Sequence, residues 1–370
     1  MKSIFLDGMF FRSTGVGRIY ENLLRMLLAQ EWIGKIHTVI PANLEESFRE
    51  SFPGPRVDPL SVGYGPMSFG DLFLKTRALN RIAAHVSLFV FPGHNVPRRV
   101  PGEYVMTVHD LTVFSPHFRA SRLRKTGFRR LLSQSLSGAK KVVVVSETIR
   151  GELARKFSLP AEKIVVIPNW IGDEFFLPEE NRTAGESPVA GDYLLYIGLR
   201  IAHKNLDGLV RAFLLLLARY PHLRLVIAGR RYRDPDMVDA WKGDPRLTDR
   251  LVEILDPGDD EVISLLAGAR VFVFPSLAEG FGLPPLEAMA AGLPVVCSDI
   301  PVFREIYGDA VRYVNPHSPE SIADGIHDVL SDPVLTDSLR RTGKEQAESY
   351  RRERSVRAYL KVIAPERYPA

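Results

Sequence analysis

Short apolar runs alternate with helical periodicity along most of the chain. The runs are rich in β-branched residues, which is typical of strands buried on both faces of a parallel sheet. Between them, apolar residues recur at spacings of three and four, and this predicts amphipathic helices connecting the strands. The predicted strands lie in the N-terminal MKSIFLDGMFF and at residues 39–40, 88–91, 105–108, 142–145, 164–167, 193–197, 223–228, 271–274 and 295–297.

This alternation predicts two doubly wound α/β domains. A polar stretch that contains glycine and proline but has no periodicity separates the two sets of strands. We therefore expect an N-terminal domain at residues 1–177, a linker at 178–192, a C-terminal domain at 193–350 and a helical tail at 351–370. A chain of 370 residues has the length for two such domains.

Composition excludes several protein classes. With 45% hydrophobic and 25% charged residues, the chain is neither disordered nor collagen-like. Its apolar runs are far shorter than the roughly 20 residues that span a bilayer, so we expect no transmembrane segment. MKSIFLDGMFF has an Asp within its apolar stretch and predicts a first strand rather than a signal peptide. Cys297 is the single cysteine, which excludes an intramolecular disulfide and favours a cytoplasmic protein.

The net charge of +4 conceals an uneven distribution. Residues 1–175 hold 24 basic and 15 acidic side chains, whereas residues 176–370 hold 24 basic and 29 acidic ones. Such asymmetry indicates a partner for the basic half. Nucleic acid is not expected, because the basic residues are not interleaved with aromatic ones and no nucleic-acid-binding motif is present.

The segment after the predicted strand at 271–274 carries the most informative chemistry. Gly280 and Gly282 precede a helix opened by Pro284 and Pro285, and the free amides and dipole of such a helix favour an anion. Carboxylates repel phosphate, so we expect Glu279 and Glu287 to face neutral hydroxyls of a ribose and a sugar beside a diphosphate. The alternative is that Glu287 caps the helix and Glu279 is a solvated loop residue.

These residues resemble a known family. The segment EGFGLPPLEAMAAGLPVV is similar to the E-x7-E signature of retaining family 4 glycosyltransferases, which have the GT-B fold. Further similar segments cover nearly the whole chain, and the resemblance is greatest to bacterial mannosyltransferase-like members that build O-antigen and capsular polysaccharides. These segments are TGVGR (14–18), VHDL (108–111), VSE (145–147), IPNWIGDEFF (167–176), YLLYIGLRIAHKN (193–205) and REIYGDA (304–310).

The resemblance implies two Rossmann-like doubly wound domains facing a cleft, with the tail returning to the N-terminal domain. It implies an acceptor on the first domain and a nucleotide sugar on the second. Lys204 would stabilise the departing diphosphate, Arg200 would add a planar cation, and Glu279 would contact the transferred sugar. The family commonly has an Arg where this chain has Leu199 or His203.

The remaining implied contacts are backbone and hydroxyl contacts. Glu287 would hold the ribose, and the backbone of Phe281, Gly282 and Leu283 would face the donor phosphate and sugar. Gly15 and Gly17 would offer a second backbone approach to the donor. His109, at the end of a strand, would lie beside the acceptor hydroxyl, although a His-Asp pair is by itself more often structural.

The resemblance further implies a hexosyltransferase that retains the anomeric configuration without a cofactor or metal. The donor expected is GDP-mannose or another GDP-hexose, with a UDP-sugar as the alternative, and the acceptor is a lipid-linked glycan or polysaccharide. Asp234-Pro235-Asp236 has the spacing of a metal-binding Asp-x-Asp, but Asp-Pro in an arginine-rich stretch favours a turn.

Three different functions fit part of the pattern. Paired carboxylates also occur in glycosidases, but that class leaves Lys204 and the glycine loops unexplained. The two-domain architecture also fits a related GT-B sugar-nucleotide epimerase. The third alternative is a catalytically silent nucleotide-sugar-binding protein, and the retained side chains of Glu279, Glu287, Lys204 and His109 argue against it.

A basic stretch at residues 98–130 predicts a membrane-facing surface. It has eight Lys or Arg and two acidic residues. It predicts either a basic amphipathic helix on an anionic membrane, at the inner face of the cell membrane, or an ordinary surface helix.

Overall fold

The computed structural model describes residues 2–13, 15–118, 121–178, 187–231 and 237–368. The chain divides into two compact α/β units. The first contains residues up to 111, 120–169 and those from 353 onward, and the second contains 112–119 and 170–352. Residues 179–186 of the predicted linker lie outside the described residues.

The boundaries of the units differ from the predicted ones at residues 112–119 and 170–177. Both segments belong to the second unit and not to the first. For residues 170–177, the contacts that join them to the end of the second unit account for the difference. The Ile171 amide donates to the Tyr350 carbonyl at 2.9 Å, and Arg351 pairs with Asp173 at 3.0 Å. Two segments that enter and leave the second unit are thereby joined to each other.

The first unit is built on a parallel sheet with the strand order β3-β2-β1-β4-β5-β6-β7. The direction of winding reverses between β1 and β4, and ligands of such sheets bind beyond the strand ends at this reversal. The strands are β1 (Lys2–Leu6), β2 (Ile33–Pro41), β3 (Val57–Val62), β4 (Leu88–Phe91), β5 (Tyr104–Val108), β6 (Lys141–Val144) and β7 (Ile164–Val166). The helices before the second unit are α1 (Gly15–Leu28), α2 (Glu45–Ser51), α3 (Lys75–Ile82), α4 (Arg122–Gly138) and α5 (Glu147–Phe157).

The second unit has a parallel sheet with the order β10-β9-β8-β11-β12-β13, which reverses between β8 and β11. Its strands are β8 (Tyr193–Ile197), β9 (Arg224–Gly229), β10 (Leu251–Leu255), β11 (Val271–Phe274), β12 (Val295–Ser298) and β13 (Arg312–Val314). Its helices are α6 (Leu206–Leu216), α7 (Asp259–Gly268), α8 (Leu283–Ala290), α9 (Pro301–Tyr307), α10 (Pro319–Ser331) and α11 (Pro333–Glu348), and α12 (Arg352–Ile363) returns to the first unit.

The predicted basic helix forms as α4. Ser121 caps its start by accepting a hydrogen bond from the Arg124 amide. Its buried apolar side chains, Leu132 and Leu136, lie in its C-terminal half, the Phe128 ring packs edge-to-face on His94, and Leu123 is 84% exposed. Within the described residues, no helix is both long and apolar enough to cross a membrane.

Candidate active site

Two loops meet where the strand order of the second unit reverses. One follows β8 and spans residues 198–205, and the other follows β11 and spans residues 275–282. The Leu277 amide donates to the His203 carbonyl at 2.7 Å, and the Asn205 side-chain amide donates to the Pro275 carbonyl at 3.1 Å. Asn205 has a φ of 58°, which Asn tolerates better than most residues, and it is the N-cap residue of α6. These bonds hold the two loops together.

Lys204 and Glu279 form an ion pair between these loops. The Lys204 Nζ to Glu279 Oε1 distance is 2.5 Å, and the two side chains are 14% and 11% exposed. Lys204 Nζ also lies 5.0 Å from the centre of the Phe274 ring. Partial burial strengthens the attraction between the two charges, because less water screens it. The structure thus brings together the predicted phosphate-binding cation and the predicted sugar-binding carboxylate.

Helix α8 begins directly after a glycine that its surroundings require. Gly282 has a φ of 95°, and a Cβ added there would lie 2.1 Å from the Tyr307 hydroxyl oxygen. That hydroxyl donates to the Gly282 carbonyl at 2.7 Å. Leu283 opens the helix, and Phe281 is buried edge-to-face against Tyr350, with ring centres 5.7 Å apart. Tyr307 belongs to the REIYGDA segment, but the sequence alone assigned it no role.

Glu287 lies on α8 and is only 5% exposed. A buried carboxylate is costly unless polar groups compensate it. The E-x7-E spacing therefore brings one carboxylate to the loop, at Glu279, and a second into the body of the following helix.

Arg200 does not take the predicted place. Its side chain is fully buried, pairs with Glu253 and donates to the Ile227 carbonyl at 3.1 Å. Glu253 lies on β10 and Ile227 on β9, so the guanidinium is directed along the sheet and not into solvent beside Lys204. The expectation that Arg200 is a second cation for the diphosphate is therefore wrong for this structure.

The first unit holds the other predicted residues. Gly15 opens α1, and a Cβ added there would meet no atom within 4 Å, so this backbone is open to close approach. A Cβ on Gly17 would lie 2.3 Å from the Phe10 carbonyl oxygen. Gly17 is therefore required for helix packing, and of the two glycines Gly15 alone presents open backbone.

His109 follows β5, and the backbone carbonyl of Pro92 holds its imidazole ring in place. Its Nε2 lies 2.6 Å from the Pro92 carbonyl oxygen. A carbonyl can only accept, so Nε2 carries the proton and the neutral ring keeps an acceptor lone pair on Nδ1. Burial lowers the pKa of His109, more than the Pro92 contact and Asp110 raise it. The ring is therefore neutral near pH 7.

A buried charge cluster also lies at the strand reversal of the first unit, and the sequence pattern did not indicate it. Lys75 is fully buried and pairs with Asp7 at 2.8 Å and with Asp71 at 2.5 Å. The Asn95 side-chain amide donates to both carboxylates at 3.1 Å. Asp7, directly after β1, was the only available signal, because a charged residue interrupts that apolar run.

No cluster of three or more His, Cys, Asp or Glu side chains that could hold a metal ion occurs in the part of the chain that the structure describes. Asp234, Pro235 and Asp236 lie outside it.

Two family models match the chain. The "Glycosyl transferase 4-like domain" covers residues 14–170, and "Glycosyl transferases group 1" covers residues 178–348. The O-antigen chain mannosyltransferase B of Escherichia coli is 32% identical over 279 residues, which are 71% of this chain and 70% of that protein. The chain belongs to the group 1, family 4 glycosyltransferases.

Two further curated relatives match over a smaller share of their length. This glycosyltransferase is 31% identical over 228 residues to the O-antigen chain mannosyltransferase RfbU of Salmonella typhimurium, which covers 62% of this chain and 61% of the relative. It is 30% identical over 227 residues to the GDP-mannose:cellobiosyl-diphosphopolyprenol alpha-mannosyltransferase of Xanthomonas campestris, with 60% and 57% covered. The chain thus spans less than two thirds of the length of these two proteins.

Solved structures give the fold of this glycosyltransferase as GT-B. A sucrose-phosphate synthase from Thermosynechococcus elongatus matches with a TM-score of 0.79 at 19% identity, covering 99% of both chains. HepE of Anabaena, solved in complex with UDP and glucose, matches with a TM-score of 0.74 at 17% identity and covers 99% of both chains. The predicted fold class and family are therefore confirmed.

Proposed function

We propose that this glycosyltransferase transfers mannose or a related hexose from a nucleotide diphosphate sugar to a lipid-linked or polysaccharide acceptor, with retention at the anomeric carbon. The names of its relatives support the sugar, since two are O-antigen chain mannosyltransferases. The third relative is named for GDP-mannose and for a diphosphopolyprenol acceptor, and this favours GDP-mannose or another GDP-hexose over a UDP-sugar here.

The ion pair between Lys204 and Glu279 is the observation that carries this proposal. A partly buried cation next to a carboxylate, at the strand reversal of the sheet, fits a donor that has both a charged diphosphate and neutral hydroxyls. When the donor binds, Lys204 exchanges Glu279 for a phosphate oxygen. Glu279 is then free to accept hydrogen bonds from the hydroxyls of the sugar.

The start of α8 supplies the remaining donor contacts. The amides around Gly282 and Leu283 face the phosphate, and the positive end of the helix dipole favours its charge. Glu287 accepts from the ribose hydroxyls. Because Arg200 is engaged with Glu253, stabilisation of the leaving diphosphate depends on Lys204 and these amides.

On the acceptor side, neutral His109 accepts a hydrogen bond from the attacking hydroxyl and orients it. The bond from the anomeric carbon to the phosphate oxygen breaks as the bond to the acceptor oxygen forms on the same face. The departing phosphate oxygen takes the acceptor proton, so charge and protons balance without a metal or a cofactor. In this proposal, the basic stretch at 98–130 contacts an anionic cell membrane at its inner face.

The test is transfer from a defined donor. The protein is incubated with GDP-mannose, UDP-glucose or ADP-glucose and a polyprenyl diphosphate-linked glycan, with and without EDTA. We expect transfer from GDP-mannose, undiminished by EDTA, and an axial anomeric bond in the NMR spectrum of the product. An inverted anomer or loss of transfer with EDTA would overturn the mechanism, and stabilisation by UDP alone in a thermal-shift assay would overturn the donor.

A further inference from the structure

An apolar surface stands out on the first unit. Four large apolar side chains within residues 67–74 are exposed, and we call them the apolar knob: Met67 (41%), Phe69 (70%), Phe73 (38%) and Leu74 (37%). The Phe69 and Phe73 rings stack on each other with centres 4.7 Å apart. Single exposed apolar residues are normal, but a contiguous apolar group indicates an interaction surface.

The apolar knob is held rigidly by its own turn. It lies on and just before a π-helical turn, Gly70–Leu74, and the Met67 amide donates to the Asp71 carboxylate at 2.8 Å. Tyr64 packs on this turn so closely that a Cβ on Gly70 would lie 2.4 Å from its ring. The side chains of the apolar knob are therefore ordered although they are exposed to water.

The buried charge cluster anchors the same turn to the sheet. Asp71, in the turn, and Lys75, directly after it, pair with each other and with Asp7 at the end of β1. The Lys75 ammonium also donates to the Asn95 carbonyl at 3.0 Å. The apolar knob is therefore fixed to the core of the first unit, and little conformational entropy would be lost when it enters an interface.

Basic side chains border the apolar knob. The Arg98 amide donates to the Leu72 carbonyl at 2.9 Å, and the Thr76 hydroxyl donates to the Arg99 carbonyl at 2.8 Å. The side chains of Arg98 and Arg99 are exposed, as is that of Arg77. Asp71 is the only acidic residue in 64–77, 94–102 and 121–138, and it is buried against Lys75.

Helix α4 continues this border. The Gln134 side-chain amide donates to the Arg98 carbonyl at 3.2 Å. Leu123, Arg130 and Gln134 are spaced by seven and four residues, so they lie along one face of the helix. Exposed Leu123 and Arg130 therefore extend the apolar and basic surface from Arg98 along α4.

We infer that the apolar knob inserts into the interfacial region of an anionic lipid bilayer while the bordering arginines bind its headgroups. This inference rests on the proposed membrane association of residues 98–130 and adds an inserting element at residues 67–74, outside that stretch. Aromatic and aliphatic side chains enter the headgroup boundary favourably, and nearby Arg side chains attract anionic lipid. An acidic protein partner would not require two stacked, exposed phenylalanines next to a basic border.

Vesicle binding tests the inserting element. We compare co-sedimentation with phosphatidylcholine vesicles that contain or lack phosphatidylglycerol, using the full chain. Phe69→Ser with Phe73→Ser should lower the partition coefficient on anionic vesicles by roughly tenfold or more. The matched control is Leu215→Ser with Val334→Ser, which removes two exposed apolar residues from the second unit and should leave binding unchanged.

A second measurement reports insertion itself. The single native thiol, Cys297, is buried, so an environment-sensitive fluorophore can be attached selectively to Phe69→Cys. Anionic vesicles should shift its emission to the blue, whereas the same label at Val334→Cys should not respond. This variant keeps the second phenylalanine and replaces only a side chain that is 70% exposed.

The outcomes separate this inference from the proposal on which it rests. If Arg129→Gln with Arg130→Gln weakens vesicle binding but the phenylalanine pair and the label at position 69 have no effect, the basic stretch binds lipid and the inserting knob is refuted. If the wild-type protein does not bind anionic vesicles, both are refuted. If the phenylalanine pair abolishes self-association in sedimentation velocity without affecting vesicle binding, the knob is a contact between copies, and the inference is again refuted.

Discussion

Removing either Lys204 or Glu279 leaves the charge of the other side chain partly buried and unpaired. Both side chains are less than one sixth exposed, so neither is fully solvated by water. In the proposed donor complex, however, they serve different groups, with Lys204 on phosphate and Glu279 on sugar hydroxyls. Removal of either should therefore affect transfer much more than folding.

We predict that Lys204→Ala lowers kcat by roughly a hundredfold or more, because it removes a preorganised cation from the leaving diphosphate. The assay is initial-rate transfer from GDP-mannose, with circular dichroism to verify the fold. Lys140→Ala is the matched control, since it removes an exposed ion pair with Glu103 in the first unit. Near wild-type turnover by Lys204→Ala would refute the assigned role.

The buried Asp7 makes the stability of the first unit depend on pH. Burial raises the pKa of Asp7 to about 6, although Lys75 opposes the shift and Asp71 adds to it. The folded state then binds more protons than the unfolded state between about pH 4 and pH 6. The contribution of Asp7 to the free energy of unfolding therefore falls as the pH rises through this window.

We predict that Asp7→Asn removes this decrease of the unfolding free energy with rising pH. Relative to Asp7→Asn, the wild-type protein should lose on the order of 2 kcal/mol of unfolding free energy between about pH 4.5 and about pH 6.5. Hydrogen exchange of the amides in Lys2–Leu6 and Leu88–Phe91 measures this locally. A constant difference between the two proteins across this range would contradict the raised pKa.

At the scale of elements, the start of α1 shows how two glycines in one motif have different physical causes. A Cβ on Gly15 meets no atom of the protein within 4 Å, whereas a Cβ on Gly17 would clash with the Phe10 carbonyl. A requirement for Gly15 would therefore come from a ligand, and the requirement for Gly17 comes from packing.

We predict that Gly15→Val leaves the melting temperature of the free protein within a few degrees of wild type but reduces its stabilisation by GDP-mannose. Gly17→Ala should lower the melting temperature of the free protein, because the Phe10 loop must move. Thermal-shift measurements with and without the nucleotide sugar separate the two effects. Undiminished ligand stabilisation in Gly15→Val would remove Gly15 from the donor site.

The elements were predictable where burial is complete and less so at the sheet edges. β4, β5, β11 and β12 are buried along their whole length, and the sequence pattern located each of them. Edge strands β3, β10 and β13 have mixed burial, which leaves no continuous apolar run, and β3 also contains Pro59. The pattern therefore did not indicate them, whereas edge strand β7 was predicted from the apolar run at residues 164–167.

The positions of the predicted site residues followed a similar division. The placement of Lys204, Glu279 and Gly282 in loops at strand ends was predictable, because local sequence determines the backbone position there. The pairing of Arg200 with Glu253 and the cluster around Lys75 depend on residues far apart in the chain. No local sequence pattern indicates such contacts. The sequence therefore predicted that Arg200 binds the donor, and it did not predict the cluster around Lys75.

At the scale of the whole molecule, the uneven charge has a separate consequence for each unit. The basic N-terminal half provides the arginine border of the apolar knob, which is exposed and faces a highly charged surface in the inferred membrane complex. The acidic C-terminal half binds an anionic donor in the proposed function. Donor binding there must depend on the short-range contacts of Lys204 and the α8 amides, because the net charge of that half opposes it.

These two kinds of binding should respond differently to salt. Exposed charges are screened within about 8 Å at physiological ionic strength and within about 3 Å near 1 M, whereas partly buried pairs are screened less. We predict that raising NaCl from about 0.05 M to about 0.5 M releases most of the protein from anionic vesicles, while stabilisation by GDP-mannose decreases severalfold less. Co-sedimentation and thermal shift in the same buffers measure both, and sodium sulfate at equal ionic strength controls for specific effects of chloride. Equal losses of vesicle and donor binding would mean that long-range charge, and not the Lys204 site, governs donor affinity.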